Sequence, residues 1–584
     1  MVPRTRLAAT AGGGRAGGVP GAARRDATET AMLDGCTPWP ADLARRYRTR
    51  GLWEGVTIAG MLARTAARRP AHPALVHGNE RISYAALERT VARLACGFLE
   101  SGIRPLDRVV LQLPNTPTFV YAYLALVRLG AIPVTALRAH RHTEVGHFLR
   151  ASGAAAYVIP DRLKDFDYRA MALELAPQAS ALRTVFVAGA PAPGQRALTP
   201  LVDDARSDAA VASTLAGVRP DPSEVATMLL SGGTTSLSKL IPRTHDDYVL
   251  NARLCGAAGG FDASTVHLVI LPLGHNYNLA SPGLLGAFYH GGTVVLAPSG
   301  DAEDVFRLVE AERVTSIAAA VPLISAWLAS PAADRRDLST LRVIQNGGAR
   351  LAPELRARLR DRFGCVPQEI YGTAEGLINM TRLDGPDELL LDSSGAPVSD
   401  EDEIRVVDDD GREVDDGEAG ELHTRGPYTI RGYYRAVEKN REAFTDDGWY
   451  RMGDIVRRHG RHLWTEGRRK DLINRGGEKI SCEEVEALIY QHPKVRVATL
   501  VAMPDPLFGE KACAFVVPRA GETLGFEELI AFLRAQNIAS FKLPERLELV
   551  GELPLSPVGK ILKRELRDRI TAKLAEESAR RPGA

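Results

Sequence analysis

Between Ser231 and Lys239 the chain reads Ser-Gly-Gly-Thr-Thr-Ser-Leu-Ser-Lys, directly after the apolar run Met228-Leu229-Leu230. Glycines let backbone N–H groups approach an anion closely, hydroxyls add neutral donors and a lysine adds positive charge. Ser231, Gly232, Gly233, Thr234, Thr235 and Lys239 therefore read as a phosphate-holding loop. The spacing does not match G-x-x-x-x-G-K-[ST], so a P-loop NTPase is excluded on motif grounds. Taken alone, such a stretch also describes a solvated turn; what lies further along the chain decides between the two.

Four further motifs follow: Tyr371-Gly372-Thr373-Ala374-Glu375, Tyr450-Arg451-Met452-Gly453-Asp454, Gly467-Arg468-Arg469-Lys470-Asp471, and Pro557-Val558-Gly559-Lys560. Together with the loop, in this order and rough spacing over about residues 32 to 572, they resemble the adenylate-forming superfamily of acyl-CoA synthetases, nonribosomal peptide synthetase adenylation domains and luciferase. The resemblance implies an enzyme that joins a carboxylic acid to ATP, giving an acyl adenylate and pyrophosphate. A carboxylate must then approach a phosphate that is already negative, so catalysis rests on positioning and on cationic and hydrogen-bond stabilisation.

By the same resemblance, Glu375 is the carboxylate associated with Mg²⁺, a hard cation suited to oxygen ligands, and Thr373 sits near the α-phosphate. Asp454 accepts from the ribose hydroxyls, Arg468 assists at ribose or phosphate, and Gly348 and Ala349 pack on adenine beside Tyr371. Lys560 bridges the attacking carboxylate and the α-phosphate; a point charge on a flexible stem suits a residue that arrives with a moving domain and later leaves. Lys470 marks the hinge. Two positions depart from the usual pattern: Ser236 stands where relatives commonly have Gly, and Met452 where they commonly have Thr.

Gly274-His275-Asn276-Tyr277-Asn278-Leu279-Ala280-Ser281-Pro282-Gly283 resembles the signature of the aryl-acid branch, notably the 2,3-dihydroxybenzoate–AMP ligases. The segment lacks the Asp with which amino-acid-activating relatives pair an α-ammonium. The resemblance implies that Asn276 bonds an ortho-hydroxy acid, that Tyr277 flanks its ring and that Ser281 meets a 3-hydroxyl, with His275 in the same pocket. Gly348, Ile370, Ala374 and Ile378 are further wall positions whose small or aliphatic side chains suit a flat ring; Ile370 and Ile378 serve equally well as ordinary core. Salicylate and 3-hydroxypicolinate stay open as substrates. The acceptor implied by the branch is the phosphopantetheine thiol of a carrier protein in trans, with free coenzyme A as the alternative, and a silent adenylate-binding scaffold is the non-enzyme alternative.

The elements that must position these residues alternate. Strands are expected at Arg108 to Leu113, Ala131 to Thr135, Tyr157 to Ile159, Thr227 to Leu230, Val266 to Leu271, Thr293 to Leu296, Ser316 to Ala319 and Arg342 to Gln345. Between them lie helical or loop segments, such as Ile82 to Ile103 and Phe119 to Leu129. Such alternation predicts an α/β fold with a mostly parallel sheet, helices on both faces and ligand loops at the carboxyl ends of the strands. After about Gly395 short alternating strands predict a small antiparallel region, and beyond Lys470 a smaller α+β unit follows. The expected divisions are a disordered extension over 1–31, a large domain over 32–469, a small mobile C-terminal domain over 470–572 and a tail over 573–584.

Composition bounds the rest. With 73 basic and 72 acidic residues among 584, the formal net charge is +1, which gives no bulk attraction to nucleic acid. The six cysteines stand far apart without a C-x-x-C pair, so neither a zinc site nor a disulfide framework is indicated. The longest apolar run, near Ile317 to Ala329, is broken by Pro322 and is shorter than the roughly 20 residues a membrane span needs. The first 31 residues have no hydrophobic segment of a secretory signal, and a cytoplasmic enzyme is expected. Gly12-x-Gly14-x-x-Gly17 lies in that extension with no strand before it, so it does not read as a dinucleotide fingerprint.

Overall fold

A computed structural model of the chain describes residues 32–231, 238–468, 471–475, 478–536, 538–556 and 559–579. Among these residues the strands form two large sheets and three smaller ones. The nine-stranded sheet runs 396–397, 376–380, 366–373, 343–347, 316–319, 266–269, 293–296, 73–77, 80–83 in spatial order, and the seven-stranded sheet runs 240–244, 225–230, 132–135, 108–111, 156–160, 184–188, 196–197. Their central neighbours pair in parallel, as the alternating pattern requires.

One hydrophobic core joins the two sheets: Val109, Leu111 and Val158 of one share it with Leu75, Val269 and Val294 of the other. The helix Pro117–Leu129 lies within it. That helix is apolar almost all round, which only full burial tolerates; it begins on Pro117, where the missing N–H costs nothing, and ends on Gly130 at φ 79. The helix Tyr84–Glu100 packs in the same core and is capped by Ser83, whose side chain accepts from the Ala86 N–H. The periodic run from Ile82 thus opens in a strand, Glu80–Ser83, before turning helical.

The region after Gly395 is the antiparallel sheet expected of it, with strands Glu403–Val407, Ala419–Arg425, Tyr450–His459 and His462–Arg468. The C-terminal unit has its own core, built from Ile473, Val485, Leu500, Val516 and Leu529 among others. Its last helix, Lys563–Ala579, runs past residue 572. Leu566 and Ile570 bury against Val501 and Phe515, so the helix is anchored to the unit and continues unbroken through residues expected to be tail.

Two connections differ from the βαβ pattern and both serve the site. The strand Val225–Leu230 is followed by an antiparallel partner, Leu240–Thr244, so a strand and not a helix comes after the hydroxyl-rich segment. Likewise Val366–Thr373 turns back as Gly376–Met380, placing Ala374 and Glu375 at the tip. Gly376 is required there, because a Cβ on it would lie 2.4 Å from the Thr429 Cα. Gly376→Ala is expected to destabilise the protein by about 1–3 kcal/mol through overpacking; an unchanged denaturation midpoint would contradict this account of the hairpin tip.

Candidate active site

The phosphate loop is described at its stem. The Ser231 N–H donates to the Lys239 carbonyl at 3.0 Å, and the Lys239 N–H donates to Ser231 Oγ at 2.9 Å. Gly232, Gly233, Thr234, Thr235 and Ser236 lie outside the described residues. The Lys239 ammonium stands 5.0 Å from the centroid of the Tyr433 ring, and the Tyr433 hydroxyl donates to Glu375 Oε1 at 2.9 Å. Tyr433 therefore ties the loop lysine to the carboxylate expected to meet the metal. Tyr433 carries no motif, and nothing in its local sequence distinguishes it from an ordinary buried tyrosine. Glu375 is buried at the hairpin tip, its carbonyl accepting from the Ile430 N–H at 2.8 Å. Thr373 Oγ1 spans the same tip toward the Gly376 carbonyl at 3.5 Å, the outer limit of a hydrogen bond.

Asp454 and Arg468 face each other across paired strands, with Arg468 Nε 3.3 Å from Asp454 Oδ1. The Tyr371 hydroxyl donates to Asp454 Oδ2 at 2.9 Å. Burial raises the Asp454 carboxyl above its ordinary range, while Arg468, Tyr371 and Lys560 pull it back. Met452, the unusual residue two positions before, is buried in the main core, so the substitution is absorbed by packing and leaves the carboxylate in place.

Lys560 reaches this group from the C-terminal unit. Its turn is closed by the Ser556 N–H donating to the Lys560 carbonyl at 2.7 Å and the Lys560 N–H donating to Ser556 Oγ at 3.0 Å. The turn needs Gly559, which has φ +80 and whose absent Cβ would sit 3.1 Å from the Ala320 Cβ. The lysine stem then lies along Gly348, itself at φ +92, where a Cβ would come within 3.1 Å of Lys560 Cε. Gly348 is thus small because the lysine passes over it. Ala349 follows, its carbonyl accepting from Asn346 Nδ2 at 2.7 Å. Lys470, the expected hinge, lies outside the described residues.

The acid-side residues gather behind this point. The helix Asn276–Ala280 is capped by His275, whose Nδ1 accepts from the Tyr277 N–H at 3.3 Å, so the ring proton resides on Nε2. Burial, then the charge of Lys560, lowers the His275 pKa to about 3, which keeps the ring neutral. The Tyr277 ring packs on Gly347, leaving no room for a Cβ, and its hydroxyl donates to the Ala319 carbonyl at 3.3 Å. Tyr277, Ile370 and Ile378 share one apolar cluster with Cys255, and Gly372 pairs with Ile378 across the hairpin that ends at Ala374. Asn276 Nδ2 donates to Ser281 Oγ at 3.2 Å. The structure thus brings the described candidates of both halves together, and Cys255 lies in the same apolar cluster.

Among the described residues no three His, Cys, Asp or Glu side chains are grouped to hold a metal ion. A single carboxylate such as Glu375 suits an ion that arrives with a polyphosphate, because Mg²⁺ takes one or two carboxylates plus phosphate oxygens.

The sequence matches the AMP-binding enzyme family over residues 62–434 and the AMP-binding enzyme C-terminal domain over residues 484–560. The chain belongs to the AMP-binding enzyme family. It is 46% identical over 545 residues to the 2,3-dihydroxybenzoate-AMP ligase of Bacillus subtilis (strain 168), covering 93% of this chain and 99% of that one. It is 45% identical over 546 residues to a salicylyl-CoA synthase / salicylate adenylyltransferase of a Streptomyces species, covering 92% and 98%. The apo structure of Mycobacterium smegmatis MbtA superimposes with a TM-score of 0.70 at 39% identity, covering 92% of this chain and 99% of that one.

As in any AMP-binding enzyme, the nucleotide has to be gripped by groups held before it arrives, and Asp454 is held by Arg468 and Tyr371. A hydrogen bond to a charged group contributes about 1.5–3 kcal/mol. Asp454→Ala is therefore expected to raise the KM for ATP by roughly 10–100-fold, read from pyrophosphate exchange at saturating acid; an unchanged KM would remove Asp454 from the nucleotide site.

Proposed function

We propose that this enzyme activates an ortho-hydroxy aryl acid, 2,3-dihydroxybenzoate in the first instance, to its adenylate with release of pyrophosphate. The aryl group then passes to the phosphopantetheine thiol of a carrier protein. The observation that carries this reading is the burial of Asn276, Tyr277 and Ser281 close together, with the Tyr277 ring packed on Gly347 and Lys560 lying over the adjacent Gly348. The 46% identity to a 2,3-dihydroxybenzoate-AMP ligase supports it. Salicylate is the second reading, supported by the relative that adenylates it; the name of that relative also supports coenzyme A as an alternative thiol acceptor.

In the first step a carboxylate oxygen bonds to the α-phosphorus and the bond to pyrophosphate breaks. Lys560 supplies positive charge where the two anions meet, and its flanking backbone is fixed by Ser556. Lys239 and the Ser231–Lys239 loop hold the outgoing phosphates, Asp454 and Arg468 the ribose, and Gly348 and Ala349 the adenine edge. Glu375, oriented by Tyr433, would hold Mg²⁺, which neutralises phosphate charge when bound. In the second step the thiol sulfur bonds to the acyl carbon and AMP leaves with the electron pair of the broken C–O bond.

Lys560 is needed only while the first bond forms. For the second step we propose that residues 470–572 turn about Lys470 relative to residues 32–469, so that two half-reactions share one site. Among the described residues no helix is long and apolar enough to cross a membrane, and we assign the reaction to the cytoplasm.

Two predictions test this reading. Lys560→Ala is expected to slow pyrophosphate exchange by about 10²–10³-fold while leaving thioester formation from supplied aryl adenylate nearly intact. Equal exchange rates in mutant and parent would overturn its role. For the acid, kcat/KM should fall in the order 2,3-dihydroxybenzoate, salicylate, benzoate. Ser281→Ala should narrow only the first gap, by about 0.5–1.5 kcal/mol, the worth of a neutral hydrogen bond. If benzoate matches 2,3-dihydroxybenzoate, or 3-hydroxypicolinate exceeds every benzoate, the substrate assignment fails and adenylation stands.

A further inference from the structure

Behind the acid site runs a chain of polar side chains that share almost no surface with solvent: Arg243, Asp247, Tyr248 and Asn251 are fully buried, Ser281 is 2% exposed and Asn276 5%. Burying a guanidinium and two amides costs free energy that an apolar core would not incur, so their connectivity is informative. Arg243 donates through Nε to Asp247 Oδ1 at 2.7 Å, through Nη1 to the Ala374 carbonyl at 2.9 Å and through Nη2 to Asn251 Oδ1 at 3.4 Å. Its guanidinium also lies 4.8 Å from the centroid of the Tyr248 ring.

The first of these directions is forced and the others follow from it and from the partners each group finds. Arg243 can only donate, so Asn251 must turn its oxygen to it. The Asn251 amide nitrogen then donates to the Ala280 carbonyl at 2.7 Å, which can only accept, and to Ser281 Oγ at 3.1 Å. The Tyr248 hydroxyl donates to Asn276 Oδ1 at 2.8 Å, and burial holds Tyr248 protonated by pushing its pKa well above the ordinary value. That leaves the Asn276 nitrogen, which donates to Ser281 Oγ at 3.2 Å and retains a second N–H.

We propose that Tyr248 and Asn251, both held by Arg243, are positioning residues that fix the polarity of the acid site. They turn the oxygen of Asn276 away from the ligand and present its remaining N–H, so the ortho substituent of the acid has to be an acceptor. The proposal rests on the reading of Asn276 as an acid-binding residue. A phenol or phenolate oxygen satisfies it. A neutral aromatic amine, which donates well and accepts poorly, does not, so the site should select 2-hydroxy over 2-amino aryl acids.

The experiment is pyrophosphate exchange on the full chain with salicylate and anthranilate, comparing the parent with Tyr248→Phe, Asn276→Ala and the double variant. Phe keeps the ring under Arg243 and removes only the hydroxyl. Tyr248→Phe should lower kcat/KM for salicylate about tenfold, the effect of one buried hydrogen bond, and leave anthranilate within about twofold because a freed amide can turn its oxygen toward the amine. In the Asn276→Ala background the same substitution should change salicylate turnover less than about twofold, since coupled residues show non-additive effects. Equal losses for both acids, or an undiminished tenfold loss without Asn276, would show a packing role and overturn the proposal. Asn251→Ala, expected to weaken the salicylate preference in the same direction, keeps the test open if Tyr248→Phe does not fold; an unchanged preference there would also count against it. A parent enzyme that activates neither acid would instead refute the underlying acid assignment.

Discussion

An ammonium group brought into a protein interior is held there only by the charges it finds. Burial and the neighbouring guanidinium of Arg468 lower the proton affinity of Lys560, while Asp454 and Glu375 act against them. Both carboxylates are themselves engaged, Asp454 by Arg468 and Tyr371 and Glu375 by Tyr433. The inward position of the lysine is therefore an electrostatic compromise in which the loss of hydration weighs most. A polyphosphate and a carboxylate beside it would add negative charge that shifts the balance toward the ammonium form. Much of the fold follows from this need: the hairpin tip that carries Glu375, the strand pair that opposes Asp454 and Arg468, and the glycines along the path of the lysine stem.

Those glycines show how steric and electrostatic demands meet. Gly559 lets the turn approach Ala320, and Gly348 lets the lysine stem pass over its backbone. Gly347, one residue earlier, accepts the face of Tyr277. Two adjacent residues at the end of the strand Val343–Gly347 thus border Tyr277 on one side and Lys560 on the other. Because the lysine belongs to a separate unit with its own core, the match depends as well on Tyr490, which joins the core cluster built from N-terminal side chains such as Trp327 and Ile344. The turn itself is stiffened by Ser556, which restricts the lysine before it reaches the site.

The strands around the parallel core were legible because apolar runs bounded by turns have little freedom: Thr293–Leu296 and Ser316–Ala319 lie where their sequence places them. The motif residues were legible because their types are rare in that order. The hairpins after Leu230 and Thr373 were not, since a strand returning antiparallel has the same local pattern as one entering a helix or loop. Arg243, Tyr248 and Asn251 escaped for a different reason. They sit at i, i+5 and i+8 across a strand end and the helix His245–Ala258, whose helical residues are buried on nearly every face through its first two turns. Such a helix has no polar face against which a functional side chain stands out. Only three-dimensional hydrogen-bond partners distinguish these residues from core.

The same chain of residues links the two halves of the chemistry. Arg243 donates to the carbonyl of Ala374, next to Glu375, and to Asn251, which supports Ser281. The guanidinium is planar and its donors cannot move independently, so the hairpin tip at Ala374 and the amide of Asn251 are tied to one rigid group. A hydrophobic residue of similar volume would pack the same space and avoid the desolvation cost, but it would leave the amide oxygens without a fixed direction. The buried ion pair of Arg243 with Asp247, anchored in turn by the Thr244 N–H and hydroxyl, is better understood as a device for holding hydrogen-bond polarity than as a source of stability. On the reading proposed above, specificity for the aryl acid depends as much on residues that never touch it as on those that do.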